Sequence, residues 1–113
     1  MVTQTRTDAT TVFRALGDPT RRAILTDLRA GAKPVNAIAE RFALTRPAVS
    51  RHLRVLRRAR LVVARRDGRH RIFALNDEPL ETVDAWLADF RTEWRERLGR
   101  LKRHVEAGSR RTP

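Results

Sequence analysis

Arginine at regular spacing is the chemistry this chain offers most plainly. Within TRPAVSRHLRVLRR, residues 45–58, the positions Arg46, Ser50, Arg51, Arg54, Arg57 and Arg58 are interleaved with Val49, Leu53 and Leu56. At 3.6 residues per turn the three apolar residues share one face, at the i, i+4, i+7 spacing of a core stripe, and the polar set turns outward. Thr45 is a fair N-cap, because its hydroxyl can accept from an orphan first-turn amide, and Pro47 comes early enough that its missing N–H costs nothing. A guanidinium is a rigid fork of donors that suits phosphates and the O6/N7 edge of guanine, and a major groove about 12 Å wide admits a helix that carries such forks. A solvated basic face on an ordinary amphipathic helix has the same periodicity, so the flanking elements decide between the two.

Other chemistries find little support. The chain has no cysteine, which excludes disulfides, thiolate metal sites and thiol redox sensing. Of its three histidines, none has a ligand partner by spacing. His104 and Glu106 lie two apart on an expected helix and do not face one another. His52 falls between the core and outward faces, where packing or hydrogen bonding is the first reading and a DNA contact the second. No Gly-rich phosphate loop or H-E-x-x-H is present, and Ser50 is expected to face a nucleic acid rather than a catalytic base. No cofactor, no metal and no enzymatic activity are expected.

The charge balance points the same way. Lys plus Arg total 25 against 13 acids, a formal net charge of +12. From Arg46 to Arg71 the arginines at 46, 51, 54, 57, 58, 60, 65, 66, 69 and 71 stand against one acid, Asp67. This is the footprint of a polyanionic partner. With no apolar h-region near the N-terminus and no apolar run near the roughly 18 residues of a membrane span, a soluble cytoplasmic protein without a membrane partner is expected.

The elements that must position these arginines follow in order. Residues 1–8 are polar and expected to be flexible. Val12, Phe13 and Leu16 make a short helix ending at Gly17. Asp18-Pro19 caps and starts a second, with Ile24, Leu25 and Leu28 as its stripe until Gly31. Asn36 can cap a third, with Ile38, Ala39 and Phe42 on its buried side, and only Ala43 and Leu44 separate it from Thr45. A short helix, a tight turn and an amphipathic helix with exposed basic residues form a helix-turn-helix signature. Ala43 stands where such turns often carry Gly, so a positive φ there costs about 1 kcal/mol. Past Ala59 the period changes: Leu61 to Ala64 are β-prone, Asp67-Gly68 is a two-residue hairpin signal, and Arg71 to Leu75 return as a second strand. Arg65, Arg66, Arg69, His70 and Arg71 surround the hairpin tip, within reach of backbone phosphates or a minor groove.

Asn76-Asp77-Glu78-Pro79 opens a last helix. Its apolar residues Leu80, Val83, Leu87, Phe90, Trp94, Leu98, Leu101 and Val105 recur every three or four positions, with Trp86 beside them. A domain of this size cannot easily cover so long a stripe, and a second copy is the simplest partner. The fold class expected is mainly α with a small β-hairpin, in the order α-α-α-α-β-β-α. One winged domain is expected over residues 9–107, and a disordered basic tail over 108–113.

Three stretches carry a family resemblance: FRALGDPTRRAILTDL, VNAIAERFALTRPAVSRHLRVLRRARLV and RRDGRHRIFAL. From about Val12 to Leu75 they resemble the ArsR/SmtB-type winged-helix repressors. DAWLADFRTEWRERLGRL is further similar to a cysteine-poor branch with two tryptophans on its terminal helix. The resemblance implies a homodimer joined through its first helix (Val12, Phe13, Leu16) and last helix (Val83, Trp86, Leu87, Phe90, Trp94, Leu98, Leu101). It also implies binding to an imperfect inverted repeat in an operator and repression, often of the protein's own gene. The match places Thr45, Arg46, Ser50, Arg51 and His52 at the groove, Arg54 on the same helix, and Arg66, Arg69 and Arg71 of the wing on flanking backbone. The family's sensing residues are missing. Val35, Asn36 and Ala37 stand where thiolate sensors carry a cysteine pair, and Asp84 is followed two residues on by Trp86 where zinc sensors carry histidine. Two readings remain: a repressor bound to double-stranded DNA, its small-molecule inducer unknown, or a winged-helix module for RNA or an acidic protein.

Overall fold

The computed structural model describes residues 8–111, and side chains as far as residue 108. Helix α1 (Ala9–Leu16) is followed by α2 (Pro19–Leu28). Asp18 caps α2, accepting from the Arg21 amide at 3.0 Å. The following arginines satisfy the end of the preceding helix: Arg21 donates to the carbonyls of Ala15 (2.7 Å) and Arg14 (2.9 Å), and Arg22 to that of Leu16 (2.7 Å). The last carbonyls of a helix lack intrahelical partners and carry its negative end, so two cations there stabilise the α1–α2 corner.

A two-residue strand β1 (Lys33–Pro34) leads into α3 (Val35–Phe42). β1 is absent from the sequence reading, and Pro34 rather than Asn36 occupies the N-cap of α3. Two residues are too few to show alternation, and Pro34 is tolerated because β1 lies on the sheet edge, where no ladder donor is required. α3 ends at Ala43 in the left-handed region (φ 54°, ψ 41°), and the Leu44 amide reaches back to the Ala39 carbonyl at 2.9 Å. Helix α4 (Arg46–Arg58) ends the same way, with Arg60 at φ 61° and the Leu61 amide bonded to the Leu56 carbonyl at 2.9 Å. These are Schellman-type ends, which usually use glycine.

Strands β2 (Val62–Asp67) and β3 (His70–Leu75) form the wing, in a three-stranded antiparallel sheet of order β1-β3-β2. Asp67 pairs with His70, so the connecting residues are Gly68 and Arg69 rather than Asp67 and Gly68. Gly68 takes a positive φ of 63°, as suits glycine at the first central position of a hairpin turn. Asn76 fastens the base of the wing to the end of α4, donating from Nδ2 to the Arg60 carbonyl at 2.7 Å.

Helix α5 (Leu80–Arg111) extends past Gly108, where the sequence reading began a disordered tail. Residues 1–7 and 112–113, parts of the expected flexible ends, lie outside the described residues. The described residues fall into two compact units, divided between Val83 and Asp84. The core of the first is built from α1 (Val12, Ala15), α2 (Ile24, Leu25, Leu28), α3 (Ile38, Ala39), α4 (Val49, Leu53, Leu56) and the wing (Val62, Phe73). In the second, Asp84 and Arg91 pair at 2.8 Å and the rings of Trp86 and Phe90 meet at 4.9 Å.

Candidate nucleic-acid interface

Helix α4 is amphipathic in the manner its spacing dictates. Val49, Leu53 and Leu56 are buried, whereas Arg46, Ser50, Arg51, Arg54, Arg57 and Arg58 are exposed. Thr45 accepts from the Ala48 amide at 3.2 Å, capping the helix, and its hydroxyl hydrogen is left to donate elsewhere. Burial of the apolar stripe, worth roughly 1.5 to 3 kcal/mol for each such side chain, fixes the rotation of α4 and so presents its arginines together.

His52 departs from the rest of the set. Its side chain is 23% exposed and its Nδ1 lies 3.9 Å from Asp18 Oδ2. It is turned toward the start of α2 rather than outward, in keeping with a packing role. The Asp18 carboxyl is held below its usual range, first by the Arg21 amide, with burial opposing and the charges of Arg21 and His52 assisting.

The wing supplies a second basic surface. In the β2–β3 register Ala64 faces Phe73 and Arg66 faces Arg71, and cross-strand partners share a face of the sheet. Arg66 and Arg71 therefore continue the face that buries Phe73, and the Arg71 guanidinium lies 5.5 Å from the Phe73 ring centre. Like charges directly opposite one another destabilise a strand pair, so this placement is favoured by an anion between or above them. Arg69 and His70 are exposed at the tip.

A helix-turn-helix domain family matches residues 16–65. The chain is 37% identical over 79 residues to the transcriptional repressor SdpR of Bacillus subtilis, covering 70% of this chain and 88% of that protein. It is 39% identical over 107 residues to the regulator NmtR of Mycobacterium tuberculosis, covering 93% and 86%. Among solved structures, an ArsR family transcriptional regulator matches with a TM-score of 0.68 at 35% identity, over 76% of this chain and 89% of that one. The chain belongs to the ArsR family of winged helix-turn-helix transcriptional regulators. An ArsR-like regulator from Rhodococcus gives a TM-score of 0.66 at 30% identity, over 84% of this chain and 90% of that one. As a member of the ArsR family the protein is a DNA-binding regulator and not an enzyme.

Against that family frame, the candidate groove residues Thr45, Arg46, Ser50, Arg51 and Arg54 share the exposed side of α4, with Arg66, Arg69 and Arg71 on the wing. The candidate interface residues divide. Val12 is fully buried in its own core. Phe13 is half-buried, and Leu16 and Val83 pack partly against the core. Trp86, Leu87, Phe90, Trp94, Leu98 and Leu101 are exposed along α5, as is Val105. The sequence reading missed Asn76, which ties wing to helix. An Asn directly after a strand that closes a hairpin was the available signal. No cluster of three or more His, Asp or Glu suited to a metal occurs among the described residues, and none of their helices is long and apolar enough to cross a membrane.

Proposed function

We propose that this ArsR-family protein is a repressor that binds an inverted-repeat operator as a homodimer, in some contexts its own promoter. The observation that carries this reading is the exposed row Arg46, Ser50, Arg51 and Arg54 on α4, flanked by Arg66, Arg69 and Arg71 of the wing. α4 enters the major groove, where Arg51 reads a base edge, and the wing arginines grip adjacent backbone phosphates. Trp86, Leu87, Phe90, Trp94, Leu98 and Leu101 on α5 pair two copies, and Phe13 and Leu16 of α1 are a separate candidate contribution to pairing. The exposure of so many large apolar side chains on one helix supports pairing.

Selection of bound sites from random duplex DNA, followed by footprinting, tests the reading. Two half-sites with dyad symmetry, about 10 to 10.5 bp apart centre to centre, are expected. A footprint without dyad symmetry, or equal affinity for structured RNA, would instead favour a winged-helix module for RNA or an acidic protein.

A further inference from the structure

A recess runs along α4 on the side of the wing. Arg46, Arg54, Arg57 and Arg71 rim it, Leu53 and Phe73 line its floor, and it encloses about 330 Å³. A second recess of about 240 Å³ shares Arg46 and Arg71 and adds Arg69 and His70. No carboxylate lines either one. The guanidiniums of Arg46, Arg54 and Arg57 make no ion pair or hydrogen bond with any described residue, while those of Arg21, Arg22, Arg41 and Arg91 each have an oxygen partner. Guanidiniums converging on a partly apolar concavity repel one another, and an anion seated among them relieves that repulsion.

The shape narrows the anion. Arg46 and Arg57 are three turns apart, so the rim extends about 16 Å along the helix axis, far longer than one phosphate. Leu53 is 1% and Phe73 4% exposed, so the floor presents no ring face on which a base could stack. Ser50 alone offers a neutral hydrogen-bonding side chain in the larger recess. Such a lining recognises a chain of phosphates and ignores what is attached to it. We infer that the recess binds a linear oligophosphate, which competes with duplex DNA for α4 and the wing and so releases the regulator. Only the competition rests on the operator-binding reading; the binding stands on the recess.

Isothermal titration of the full chain with inorganic tripolyphosphate, at an ionic strength held constant with sodium chloride, decides the matter. Saturable binding of one tripolyphosphate per protomer is expected, with no comparable heat from sulfate. Arg57→Gln and Arg54→Gln are each expected to weaken it by about tenfold or more, since each removes a charge-assisted contact. Arg95→Gln, the same charge loss on α5, is expected to leave it unchanged. Equal losses from rim and α5 variants, or no saturation, would reveal diffuse counterion attraction and overturn the site. Much tighter binding of ATP than of tripolyphosphate would overturn the assignment to a bare phosphate chain. In a gel shift, tripolyphosphate at about ten times its own dissociation constant should raise the apparent constant for duplex about tenfold. No binding to any duplex would sink the operator reading while the calorimetry still judged the site; duplex binding untouched by tripolyphosphate would sink the competition alone.

Discussion

Arg51 and Arg66 carry the same charge on different scaffolds, and the scaffold decides what the charge can read. On the exposed side of α4, Arg51 is held by a buried stripe and can meet a base edge with both arms of its fork. Arg66 projects from the wing and meets phosphates, which are alike at every sequence. Arg51→Ala is therefore expected to weaken operator binding by about 1 to 3 kcal/mol and relax specificity, while Arg66→Ala weakens all duplexes alike. Equal losses on operator and random duplex for both variants, by fluorescence anisotropy, would refute the division. Asp27 plays a structural part. It accepts from Lys33 of β1 at 2.8 Å and pairs with Arg41 of α3 at 3.5 Å, joining three elements. The Lys33 hydrogen bond is the main reason its carboxyl sits below the usual 3.8. A depressed carboxyl stabilises the fold above its unfolded pKa, and that stability is lost as pH falls through the folded value. Asp27→Asn is expected to lower stability at neutral pH and to flatten the decline below about pH 4 in urea titrations. An acid decline as steep as in the parent chain would place its source elsewhere.

Among the elements, both helices of the helix-turn-helix end on residues that pay for a left-handed backbone. Ala43 is identifiable from the sequence, because the turn between α3 and α4 is short and its position known. Arg60 is not, because nothing local distinguishes it from its basic neighbours. Its carbonyl accepts from Asn76, sixteen residues on, a contact no local pattern announces. Ala43→Gly is expected to stabilise the protein by about 0.5 to 1 kcal/mol, the relieved strain exceeding the extra freedom of the unfolded chain. Chemical denaturation at fixed protein concentration checks this, and a loss of stability would mean that the Ala43 methyl packs usefully.

For the whole molecule, net charge and the apolar residues of α5 govern behaviour. With a formal net charge of +12, binding to duplex should fall steeply with salt as neutralised phosphates release counterions. If about six phosphates are engaged, affinity falls about a thousandfold between 50 and 200 mM salt; a flat response would remove the arginines from the contact surface. Trp94, 58% exposed on α5, stands in the middle of the exposed apolar series. Trp94→Asp is expected to yield a monomer by multi-angle light scattering, since burying an unpaired carboxylate opposes association. A dimer that persists would mean that two copies meet through other residues.

Periodicity and turn chemistry are local, so the sequence by itself determined the helices, the wing, the outward face of α4 and the polyanionic character of the partner. Register and the approach of distant elements are not local, and only the tertiary structure decided those. It added β1 to the sheet, shifted the hairpin turn to Gly68 and Arg69, turned His52 toward Asp18, and sank Val12 into the core. It also brought Arg71 of β3 beside Arg46, Arg54 and Arg57 of α4. A helical repeat states which side chains share a face; what that face meets depends on pairings made far along the chain.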